Sequence, residues 1–114
     1  MRKAATVLLI SALLTGSAQT QELSPAADRL LWCSSAMYWL ASDAFDSGDD
    51  IEGGQYQAWS DDLAARADLL LEADGRSDAE ITTIRDGYDS RVLGEMGSDE
   101  AKYDVAACPD LAGP

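Results

Sequence analysis

Between Leu30 and Ala44 the chain reads LLWCSSAMYWLASDA, and this stretch restricts the possible folds more than any other. Leu30, Cys33, Met37, Leu40, Ala41 and Ala44 recur at i, i+3, i+7, i+10, i+11 and i+14, which is one face of an α-helix and not the alternation of a strand. The stretch also holds one of only two cysteines; the other, Cys108, lies close to the C-terminal end. Two cysteines in an exported chain are expected to pair. A loop of about 75 residues corresponds to roughly 4 kcal/mol in the chain-entropy model of a disulfide. The expected architecture is all-α: three long helices and a short fourth, gathered on the first segment and closed by Cys33–Cys108. No C-x-x-C spacing occurs, so a redox-active pair is not expected.

Export is read from the N-terminus. Met1-Arg2-Lys3 is a basic start, Ala4 to Leu14 an apolar run, and Thr15-Gly16-Ser17-Ala18 a small-residue exit. That is the pattern of a secretory signal peptide, with cleavage expected after Ala18. A membrane span needs about 20 apolar residues, more than this run supplies. The expected organisation is therefore a signal peptide over 1–18 and one small helical domain over 19–114, secreted and in the periplasm. After cleavage, twenty-one carboxylates face six basic side chains (Arg29, Arg66, Arg76, Arg85, Arg91 and Lys102), a net charge near −15. Such a surface argues against nucleic acid and anionic lipid as partners, and suits a basic protein or a cation.

The helix boundaries have local signals. Ser24-Pro25 supplies an N-cap and a first-turn proline, and Gly48 a stop after Asp46 or Ser47. A second helix is expected from about Gln55 to Ala73, with Tyr56, Trp59, Leu63, Ala67, Leu70 and Leu71 inward and Asp74-Gly75 ending it. Ser77-Asp78-Ala79-Glu80 is a capping box, which gives Glu80 a structural role. The third helix then presents Ile81, Ile84, Tyr88 and Val92 up to a break at Gly94–Gly97. A short fourth helix is expected from Ser98 to Cys108, ended by Pro109. The bridge requires the break, because a third helix running straight on would carry Cys108 away from Cys33.

Trp32 and Trp39 fall off the main stripe of the first helix, stacked two turns apart among Ser35, Asp43 and Asp46. Either another helix covers them, making the first helix central, or they form an exposed interaction surface. Burial is the favoured reading, and Tyr38 and Phe45 widen the apolar surface in its support. Asp43 to Gly54, DAFDSGDDIEGG, places Asp43, Asp46, Asp49, Asp50 and Glu52 in one glycine-rich stretch. It is the best location for calcium, yet Phe45 and Gly48 fall where a calcium loop needs ligands, so an ordinary solvated loop is expected.

The available chemistry is narrow. The chain has no histidine, which removes Ser-His and Cys-His catalysis and the usual zinc sets. No glycine-rich stretch is followed by a phosphate-binding lysine. No catalytic residue is assigned, and an enzyme is not expected. In size, export, helical content and single disulfide the chain is similar to the small acid-stress chaperones of the bacterial periplasm. That likeness is one of class, carried by no motif, and transfers no function. Two readings follow: a non-enzymatic interaction or inhibitor-type module of the cell envelope that binds a basic protein, or a cation-binding or acid-responsive protein that uses its carboxylates.

Overall fold

Ser24 begins the first helix as its chemistry requires. Its Oγ accepts from the Ala27 amide at 3.1 Å, and Pro25 occupies the first turn, where a missing N–H costs nothing. The structure, a computed structural model, describes residues 22–113; the signal peptide expected over 1–18 lies outside the described residues. Helix α1 spans Pro25–Asp46, α2 Asp50–Ala73, α3 Asp78–Glu95 and α4 Cys108–Ala112, with a 3-10 turn at Val105–Ala107 before α4. The described residues contain no strand. The fold is the expected all-α arrangement of three long helices and one short, and Cys33 and Cys108 are bonded with their Cα atoms 5.4 Å apart.

Helix α1 is the centre. Helix α2 packs along it, α3 covers a different side, and α2 and α3 scarcely touch each other. Trp32, Met37, Leu63, Leu71, Val92 and the two cysteines are the largest fully buried side chains. The seam between α1 and α2 is built from small residues: Ala27 and Ala41 on the Ser34 face of α1 and Ala64 and Ala67 on the Ser60 face of α2 are buried. In its middle two buried serines bond reciprocally across the helices. Ser34 Oγ donates to the Ser60 carbonyl at 3.1 Å, and Ser60 Oγ donates to the Ser34 carbonyl at 2.8 Å. Arg66 ties α2 to the end of α4, donating to the carbonyls of Leu111 at 3.0 Å and Ala112 at 2.8 Å.

The acidic stretch Asp43–Gly54 is not an open loop. Gly48 has φ +83°, Gly48 N donates to the Phe45 carbonyl, and Asp49 N donates to the Ala44 carbonyl at 2.9 Å. These bonds form a Schellman stop for α1. Asp49 caps α2 at once, its carboxylate accepting from Glu52 N at 3.0 Å, so α2 begins at Asp50 instead of Gln55. The glycines that read as a break lie within this helix. A Cβ on Gly53 would sit 2.7 Å from the Phe45 ring, so glycine here allows a close approach. Asp49, Asp50 and Glu52 also stand where the helix dipole favours negative charge.

The fourth helix differs too. The capping box at Ser77 and Glu80 forms as expected, and α3 runs to Glu95 before Gly97 turns the chain at φ +79°. Ser98 does not start a helix. Residues 96–104 are turns that return the chain to α1, and α4 forms only at Cys108. Pro109 therefore begins this helix instead of ending one, in the first turn where proline is tolerated.

Candidate functional site

Asp28, Trp32, Ser35 and Trp39 follow i, i+4, i+7 and i+11, a second face of α1, and each bonds to α3. Trp32 is fully buried; its Nε1 donates to Glu95 Oε1 at 3.0 Å. Ser35 Oγ donates to Asp89 Oδ1 at 2.5 Å, and Trp39 Nε1 donates to the Asp89 carbonyl at 2.9 Å. Of the two readings of the tryptophans, the covering helix is the one observed. Trp32 offers no surface, and Trp39 is half-buried. Tyr38 and Phe45 are instead the aromatic residues left open on α1, 43% and 42% exposed.

At the base of this face Asp28 collects three donors and a more distant guanidinium. Tyr88 Oη donates to Oδ1 at 2.5 Å and Tyr103 Oη to Oδ2 at 2.6 Å; Lys102 Nζ lies 2.8 Å from Oδ2 and Arg91 Nη2 3.7 Å from Oδ1. Arg91 also pairs with Glu95 at 3.0 Å and stacks 4.5 Å over the Tyr88 ring. Burial pushes the Asp28 carboxyl up. The hydrogen bonds from Lys102, Tyr103 and Tyr88 and the charge of Lys102 outweigh it, holding the group at about 2. Burial and then Asp28 push the Tyr88 phenol up, and the bond to Asp28 holds Lys102 above the ordinary lysine range. Near neutral pH, Asp28 is thus an ion with both oxygens taken and Lys102 a cation. This arrangement clamps the 96–104 turn to α1; it offers neither a free base nor an amine nucleophile.

The other candidate residues lie at the hairpin end where α1 meets α2. No basic residue occurs from Leu30 to Ala65, while Asp43, Asp46, Asp49, Asp50 and Glu52 are all exposed around the turn. Ile51 stands among them 90% exposed. Among the described residues no group of three or more His, Cys, Asp or Glu side chains is gathered to hold a metal ion, so the five carboxylates proposed for calcium do not converge as a ligand set. Asp28 was the residue not singled out from sequence, though its spacing with Trp32, Ser35 and Trp39 is a usable signal: one polar group per turn along an otherwise apolar helix. Its partners Tyr88, Lys102 and Tyr103 come from 60 and more residues away, and no local pattern marks them. No protein-family model, curated protein or solved structure matches this chain.

Proposed function

We propose that this chain is a small exported, non-enzymatic interaction module that engages a basic protein partner through the α1–α2 hairpin end. The observation that carries the reading is Ile51, almost fully exposed at the start of α2, in a stretch that holds five exposed carboxylates and no cation in sequence. Phe45, half-open at the end of α1 and seated on Gly53, is a second exposed apolar group at the same end of the hairpin. An apolar centre within a charged rim is the common anatomy of a protein–protein contact. The sign of the charge selects a basic partner and speeds encounter with it. Inhibition of a basic hydrolase is a role this surface suits. Export supports the reading: the N-terminal signal pattern, with cleavage after Ala18, and the buried disulfide both belong to an oxidising compartment such as the periplasm.

The test is calorimetric titration of the mature, oxidised protein into a panel of basic proteins, lysozyme and a basic ribonuclease included, at low and high salt. Binding that weakens with salt and is lost in Ile51→Ser, a variant that removes no packing, is the expected result. Absence of binding across the panel, or binding indifferent to both salt and Ile51→Ser, overturns the proposal.

A further inference from the structure

Cys33 and Cys108 are both fully buried, so a reductant reaches their bridge only when part of the fold moves aside. Cys108 is carried by the chain that follows α3. Residues 96–104 run as turns to the 3-10 turn at Val105–Ala107, and α4 then brings Cys108 onto α1. Tyr103, Val105 and Leu111 of this segment pack against the core. The Tyr103 ring stands edge-on to Trp32 with centroids 5.7 Å apart.

This segment is held differently from the three long helices. Among the described residues no backbone–backbone hydrogen bond joins 97–113 to α1 or α2. Its polar ties are made by side chains, at two places. Arg66 of α2 donates to the Leu111 and Ala112 carbonyls at the end of α4, which no helical N–H can answer. Asp28 of α1 holds Tyr103 Oη at 2.6 Å and Lys102 Nζ at 2.8 Å, while Lys102 N donates to Glu95 Oε1 at 3.2 Å. Arg66 and Lys102 are themselves half-exposed. Helix α4 has five residues, far fewer than a helix needs to hold itself, against 22 and 24 in α1 and α2. Local opening begins where such ties are fewest.

We propose that residues 96–113 are a latched strap, which opens over folded α1–α3 and so admits a dithiol reductant to Cys33–Cys108. The Arg66 and Asp28 ties are its two latches. With the strap open, a thiolate of the dithiol attacks one sulfur of the bridge and releases the other as a thiolate. The second thiol of the reductant then resolves the mixed disulfide. The dithiol leaves as a disulfide, and its two protons end on Cys33 and Cys108. Once the bridge is reduced, only the latches and apolar contacts keep the strap over the Trp32 edge, so the redox state of one bond sets how firmly that edge is covered. The strap is separate from the hairpin end and stands whether or not Ile51 binds a partner.

Reduction of the mature, oxidised protein by excess dithiothreitol, without denaturant, tests this. Samples are quenched with N-ethylmaleimide and the modified thiols counted by intact mass. Arg66→Met keeps the apolar stem and deletes both bonds to α4; it is expected to speed reduction about tenfold. Lys102→Met is expected to speed it about threefold, as loss of a partly exposed ion pair does. Ile81→Val thins the buried core at the start of α3, about 20 Å along that helix from the strap. It is expected to lower stability in urea and to leave the rate of reduction unchanged. Latch variants reduced at the parent rate overturn the proposal. So does a rate that follows urea stability across all three variants, because the whole chain must then unfold before the bridge is reached.

Discussion

The two covered faces of α1 are held by different physics. Against α2 the contact is mostly alanine, glycine and a few leucines, and its polar groups are two serines that satisfy each other across the seam. Against α3 the same helix presents Asp28, Trp32, Ser35 and Trp39, and each finds a hydrogen-bond partner. The first face works by shape: small side chains let two helices lie close, and dispersion and burial act over their whole length. The second works by saturation: large or charged groups are buried only because each donor and acceptor is answered. A shape-held seam tolerates exchange of similar small residues, whereas a hydrogen-bonded seam fails wherever one member is removed.

Removing the ring at the centre of the second face is expected to have the largest effect. Trp32→Ala should cost about 4 kcal/mol in urea unfolding, because it empties a fully buried site and leaves Glu95 without its indole donor. Trp32→Phe, which keeps most of the volume and deletes only the N–H, should cost about half of that. Equal losses in the two variants would show that the bond to Glu95, and not the packing, is what Trp32 contributes.

Next in size is Asp28→Asn, expected to cost about 2 kcal/mol at neutral pH. The parent's pH profile checks the cause. The folded carboxyl titrates at about 2, below its ordinary value of 3.8, so its contribution is complete above the ordinary range and is lost as pH falls through about 2. Stability of the parent and variant should therefore converge between about pH 4 and pH 2. A gap that stays constant to pH 2 would mean Asp28 acts through its shape alone.

The smallest effect belongs to the first face. Ser60→Ala should cost about 1 kcal/mol, and Ser34→Ala combined with it little more, since both carbonyls keep their helical bonds and the seam becomes alanine throughout. A double variant that loses as much as Asp28→Asn would erase the distinction between the faces.

What the sequence disclosed follows the same division. Signals that act within one turn were legible: Ser24-Pro25, the Ser77–Glu80 box, the stops at Gly48 and Gly75, and the stripe that runs beside Ser34. The disulfide was legible because only two cysteines exist. Residues whose meaning depends on a distant partner were not. Gly53 reads as a helix breaker until Phe45 is seen lying on it. Pro109 reads as a stop until the turn carrying Lys102 and Tyr103 is seen clamped on Asp28, which delays α4 to Cys108. The candidate surface moved for the same reason. Trp32 gained a cover from α3 that no local pattern announces, while Ile51 and Phe45 remained open.

The uneven placement of charge along α1 has a consequence for motion in solution. Every cation among the described residues lies outside 30–65, while the hairpin end holds only acids, so the molecule carries an electric moment as well as a net charge. In the field of a positively charged body it turns before it touches, bringing Ile51 and Phe45 forward. Orientation is then partly settled during approach, and added salt slows arrival more than it hastens departure.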